Sequence, residues 1–132
     1  MSYYEPDSNF AVVLPGETLL LVTGLSAGLD DVIFLTESGR KFHMYHNQGC
    51  CESVRIFDLK GDLDHLLNSP ILEATEVISS ENPTDIPAPE YQDSFTWSTF
   101  TIRTAKGVVV IRWYGESNGY YGEDVSFSEV KW

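Results

Sequence analysis

The run from Ser94 to Tyr114 constrains the fold more than any other stretch, because its two apolar arms, Ser94 to Thr104 and Val108 to Tyr114, meet at Ala105-Lys106-Gly107. Arms of this length joined by so short a link pair with each other as an antiparallel hairpin, with a glycine placed for the turn. In the first arm Phe95 and Trp97 fall on one face and Phe100 and Ile102 on the other, so the apolar face switches near Ser98-Thr99. A β-bulge at that point is the expected cause.

The same alternation recurs elsewhere. Thr18 to Leu25 and Val32 to Glu37 are dense in Leu, Val, Ile and Phe and read as buried strands. Ser38-Gly39 turns the chain into Arg40 to His46, where Phe42, Met44 and His46 share a face, so Val32 to His46 forms a second hairpin. Val54 to Leu59 and Val125 to Val130 are further strands, as is Ile71 to Ile78, with Ile71 and Val77 on one face and Leu72 and Ile78 on the other. Helical spacing is confined to Leu63, Leu66 and Leu67, after a capping Asp62 and before the stop at Asn68-Ser69-Pro70. Phe10 to Leu14 is a short apolar run ended by Pro15-Gly16.

Some eight strands with one short helix and no βαβ alternation predict a mainly β fold, an antiparallel sheet curled into a barrel or folded as a sandwich. An α+β sheet with a covering helix is the alternative. Residues 79–93 carry Pro83, Pro87, Pro89 and four acids and read as a loop. The forty or so residues beyond it are too few to fold alone, so it is an insertion loop, and a candidate for mobility, within a single domain spanning 1–132.

Twenty acidic residues against eight basic ones give a formal net charge of -12, which repels nucleic-acid backbones and anionic membranes. Six acids and no base lie between Glu73 and Asp93. That segment is either solvated surface or an acidic face that imitates DNA or docks on a basic partner. The first residues lack a charged-then-apolar leader, and no apolar run approaches a membrane span. Two adjacent cysteines do not make a framework of separated disulfide pairs, which together with the missing leader points to a cytoplasmic protein.

Chemistry concentrates in two stretches. The first is His46-Asn47-Gln48-Gly49-Cys50-Cys51-Glu52-Ser53; the second is Arg112-Trp113-Tyr114-Gly115-Glu116-Ser117-Asn118-Gly119-Tyr120-Tyr121. His43, His46, Cys50 and Cys51 are zinc-type ligands, but they lack separated C-x-x-C pairs, and an extended strand turns the two histidines to opposite sides. No metal or other cofactor is expected. A thiolate at Cys50 or Cys51 with His46 and Glu52 has the residue types of a nucleophilic site, yet catalytic partners usually come from distant segments. Small buried cysteines and a backbone-bonded His46 are the bland account.

Ligand binding uses more of what is present. Trp113, Tyr114, Tyr120 and Tyr121 offer faces for stacking, Arg112 a fork for phosphate or carboxylate, and Asn118 and Glu116 a polar edge. With His46, Gln48, Cys50, Cys51 and Glu52 they define the candidate binding set. The equally weighted account is a hairpin end whose aromatics fill the core and whose Ser-Asn-Gly is a turn. The two stretches are expected side by side at one end of the sheet.

The quoted stretches, together with Gly61-Asp62-Leu63 and Ser69-Pro70-Ile71-Leu72, resemble an uncharacterised family of small proteins encoded by bacteriophages and some bacteria. The shared marks are a His-x-Gln-x-Cys-Cys-Glu motif and a Trp-Tyr-Gly-x-Ser-Asn-Gly-Tyr-Tyr motif. Gly49 stands where that family is expected to carry an acid. The resemblance implies no settled activity, but a phage setting favours counter-defence. The expected function is therefore binding rather than turnover, either of a small nucleotide-like molecule or of a host defence protein met by the acidic surface.

Overall fold

The computed structural model describes residues 7–49, 51–119 and 121–130. Among them, eight strands form two four-stranded antiparallel sheets packed as a sandwich. The first sheet has the order β1 (Leu19–Thr23), β2 (Asp31–Thr36), β3 (Lys41–Tyr45), β8 (Ser126–Val130). The second runs β4 (Glu52–Lys60), β7 (Gly107–Ser117), β6 (Ser94–Thr104), β5 (Ile71–Ser79). Both expected hairpins form, and β6 and β7 pair without interruption from Ser94↔Ser117 to Thr104↔Gly107.

Side chains of both inner faces meet around rings. Phe10, on the single-turn helix α1 (Phe10–Val13), packs edge-on against Phe100 of one sheet at 5.0 Å and Phe127 of the other at 5.1 Å. Phe127 also stacks on Phe42. The Phe10 to Leu14 run therefore becomes a helical turn, capped by the Asn9 side chain, that bridges the layers.

The leucine stripe forms a 3₁₀ turn, Leu63–Leu66, with Asp62 accepting from the Asp64 amide at 3.0 Å. Thr104 donates to the His65 carbonyl at 2.7 Å and Lys106 to the Leu67 carbonyl at 2.7 Å, so this turn plugs the end of the sandwich beside the β6–β7 turn. The opposite end is where β4 begins and β7 finishes.

Three local expectations are corrected. β6 has no bulge at Ser98-Thr99, since its register is unbroken; instead it is apolar on both faces because both are covered. β1 is an edge strand rather than a buried one: Leu19 is buried, while Leu20 and Leu21 are exposed after a register shift. In β5 only Ile71 and Ala74 are buried; a register shift follows Ile71, and Val77 and Ile78 both face solvent.

Candidate functional site

The two motif stretches do lie together. Glu52 pairs with Ser117, Ser53 with Glu116 and Val54 with Gly115, so the start of β4 runs beside the end of β7. An open groove of about 300 Å³ is lined there by Cys51, Glu52, Ser53, Asp93, Glu116, Ser117 and Asn118. Its ionisable lining groups are three carboxylates, a poor match for an anionic ligand.

Most predicted ligand groups in this region have structural partners. The Gln48 amide acts as a piece of neighbouring strand: Nε2 donates to the Val54 carbonyl at 2.6 Å, and Oε1 accepts from the Val54 amide at 3.1 Å. Ile56 is capped in the same way, accepting from Gly28 and donating to Leu29 at 2.8 Å each. The β4 edge is thus closed to further pairing at both residues.

His46 donates from Nδ1 to the Asp124 carbonyl at 2.6 Å. Its Nε2 is buried without a hydrogen-bond partner, 3.6 Å from Glu52 Oε1. Glu52 in turn accepts from the Gly49 amide. A Cβ at Gly49 would lie 2.8 Å from that carboxylate, so a side chain there displaces Glu52. The glycine that stands in place of an expected acid is therefore matched to Glu52.

Cys51 is exposed and disulfide-bonded, which corrects the reading of buried core cysteines for this residue. A sulfur in a disulfide is neither thiolate nucleophile nor thiolate ligand. The cysteines also cease to argue for a reducing compartment. Cys50 and Tyr120 lie outside the described residues. Among the described residues no group of three His, Cys, Asp or Glu is arranged to hold a metal ion.

The second motif divides by strand alternation. Trp113 faces inward and is fully buried, with Nε1 lacking a partner; it is a core residue, not a stacking platform. Ser117 also faces inward and donates to Glu123, which accepts from Thr96 at 2.8 Å as well. A Cβ on Gly115 would lie 2.6 Å from the Glu123 carbonyl, so the returning chain crosses β7 at the one residue that leaves room. Asn118 is exposed in the turn and Tyr121 is half-buried beyond it, its carbonyl 3.2 Å from the Ser117 hydroxyl.

Arg112 and Tyr114 face outward. Arg112 is held by Asp58, at 2.7 Å from Nε and 2.5 Å from Nη2, and by Asp85 at 3.0 Å from Nη1. These partners hold the guanidinium well above its usual range, Asp58 foremost, and leave it no open fork for a phosphate. Lys60 grips Asp85 too, at 2.9 Å, and together the two cations pin the proline-rich loop to the sheet.

Under that loop lies a cleft of about 200 Å³ lined by Phe57, Asn82, Ile86, Pro87, Pro89, Gln92, Trp97 and Tyr114. Asn82 and Gln92 close the loop by reciprocal amide bonds of 2.8 and 3.1 Å. Trp97 donates to Asn82 Oδ1 at 3.1 Å, and Gln92 donates to the Tyr114 hydroxyl at 2.7 Å. Trp97 meets Phe57 edge-on at 5.0 Å and Tyr114 at 4.8 Å. Burial pushes the Tyr114 phenol up, against the pull of Gln92 and with the help of Glu116 and Glu123, so it stays a donor at neutral pH.

Of the residues singled out from the sequence, only Tyr114 lines this cleft, and Arg112 anchors its roof. The others were signalled by the apolar switch in β6: a strand apolar on both faces needs two covers, and the adjacent proline-rich loop was the available one.

A family model, a domain of unknown function (DUF7448), matches residues 16–127. The chain belongs to that family. The match takes in β1 to β7 and the first two residues of β8, and with them the groove and the cleft. No curated protein and no solved structure matches the chain. Among the described residues no helix of this DUF7448 protein is long and apolar enough to cross a membrane.

Proposed function

We propose that this protein acts by binding, and that it sequesters a flat, uncharged heteroaromatic ring of nucleobase type in the cleft beneath loop 80–93. The observation that carries this reading is the cleft's lining. Three aromatic rings and three apolar loop residues surround an almost wholly apolar space, with the Tyr114 phenol and the mutually bonded Asn82 and Gln92 amides at its border. At about 200 Å³ the cleft is smaller than the roughly 300 to 1,000 Å³ that drug-sized ligands occupy, so a ring enters without its substituents. The Tyr114 hydroxyl accepts from Gln92 and keeps its own proton for an acceptor on the ring edge.

The nucleotide of the sequence expectation becomes a base or nucleoside, because Asp58 and Asp85 already occupy Arg112. The bacteriophage setting and the counter-defence role belong to this proposal and rest on the motif resemblance, and a location in the host cytoplasm follows from that setting. Stoichiometric capture of a small host molecule requires no turnover.

Calorimetric titration with nucleobases, nucleosides and their monophosphates tests it. The uncharged forms should bind more tightly than the phosphorylated ones, with little change at high salt, and Trp97→Ala should remove binding. If none of the uncharged forms binds, the reading fails. Salt-sensitive binding to a basic protein, lost on charge reversal at Glu81 and Glu90, would instead favour an acidic docking surface that imitates DNA.

A further inference from the structure

The two edges of the second sheet are treated differently. β4 has the backbone of Val54 and Ile56 capped, whereas among the described residues β5 is capped only at its start, where Ile71 donates to Glu17 and accepts from Gly16 at 2.8 Å each. From Leu72 to Ser79 the described residues supply no backbone partner to β5 other than β6. An open edge is a template for another strand, and exposed edges are normally blunted by charges, especially Lys, by Pro or by bulges; charges of one sign repel a like-charged edge but not one of opposite sign. β5 has neither Lys nor Pro, and its register shift comes before Glu73.

Val77 and Ile78 are 60% and 61% exposed. As neighbours in a strand they project to opposite faces, so the second half of β5 offers apolar contact on both sides of its open edge. Glu73 and Glu76 supply its charge, with Glu81 just beyond. Glu73 meets Arg103 at only 3.8 Å between exposed side chains. Burial pushes the Glu76 carboxyl up, and the neighbouring Asp7 carboxylate adds to the shift, so this acid stands beside another acid.

A second copy of the chain is a poor occupant. Antiparallel pairing of two β5 strands brings glutamates of both copies together between bodies that each carry -12. A strand with opposite charge suits the same edge. We propose that the β5 edge from Ala74 to Ser79 accepts, as a fifth strand, an extended segment of a partner protein in which Lys or Arg alternates with apolar residues. This interaction is separate from ring binding in the cleft and does not depend on it.

The probe is a synthetic peptide of alternating lysine and valine, with a glutamate–valine peptide as control, titrated into isotope-labelled protein and read by amide shifts and hydrogen exchange. The lysine peptide should shift the amides of residues 74–79 and protect those among them that point away from β6. Its affinity should fall at least about tenfold in high salt, and Glu76→Lys and Val77→Lys, both at exposed positions, should each weaken it. Equal binding of the acidic control, shifts centred away from β5 and its neighbour β6, or no binding would overturn the proposal. So would protection, in the free protein, of those β5 amides that point away from β6, or a concentration-dependent dimer that Val77→Lys dissociates.

Discussion

Arg112 and Asp58 face each other across β4 and β7 because the register shifts by one residue at Phe57, between the pairs Ile56↔Trp113 and Asp58↔Arg112. Without that extra residue Asp58 would fall on the inner face and leave Arg112 unpaired. The Arg112 side chain is only 8% exposed. Asp58→Ala should therefore destabilise the protein by about 2 kcal/mol, below the roughly 3–5 kcal/mol of a fully buried broken pair, because Asp85 remains and Asp58 is partly solvated. Chemical denaturation of the variant measures this.

Asp85→Ala should act on the loop rather than the domain. Asp85 is exposed, so its pairs with Arg112 and Lys60 contribute little to global stability. Its loss should leave the unfolding midpoint near that of the parent while speeding proteolysis within residues 80–93 and weakening ring binding.

Trp113 separates packing from polarity. Trp113→Ala should cost about 3–5 kcal/mol, as for other large core residues. Trp113→Phe should cost no more than about 1 kcal/mol, because the lost volume is offset by removing a buried N–H that has no partner. Both are read by thermal or urea unfolding, and the Phe variant should keep any ligand binding.

Gln48 is an edge cap. Gln48→Ala should cost about 1–3 kcal/mol by leaving the Val54 N–H and carbonyl without partners. Gln48→Glu should be no better, since a carboxylate cannot donate to Val54 and lies against Asp30, which Gln48 contacts at 3.1 Å. Urea midpoints of the two variants provide the comparison.

Stability should peak at mildly acidic pH. Burial pushes the carboxyls of Asp7 and Glu76 up, so the folded chain holds those protons more tightly than the unfolded one, and stability rises as pH falls through their folded values. Glu17 and Glu123 behave oppositely. Desolvation pushes each up, but hydrogen bonds from Ser38 and Arg40 to Glu17, and from Ser117, Ser94 and Thr96 to Glu123, outweigh it and hold both below the usual range. Their contribution is complete above the ordinary glutamate range and is lost as pH falls through the folded values. Urea midpoints against pH should show the peak; Glu76→Gln should flatten its neutral side and Glu123→Gln its acidic side.

The strands, both hairpins and the leucine turn at Asp62 were legible in the sequence because each depends on neighbours within a few residues. Alternation sets a strand, and Ser38-Gly39 or Ala105-Lys106 reverses it. The meeting of the two motifs was legible for a related reason, since each adjoins a strand end. The apolar switch in β6 was visible but assigned to a bulge, because local pattern cannot say that a second layer covers the other face.

Sequence alone thus determined where the chain is extended and where it turns, through steric and hydrogen-bonding preferences that act locally. Tertiary structure alone decided what each outward or inward side chain meets. Trp113 and Tyr114 are adjacent in sequence, yet one is sealed in the core and the other lines an open cleft. Arg112 looked like a free fork for a phosphate, and its fate depended on an acid 54 residues away that a one-residue register shift carries to its face. Coulombic pairing and burial act through space, so they become definite only when the strands have found their partners.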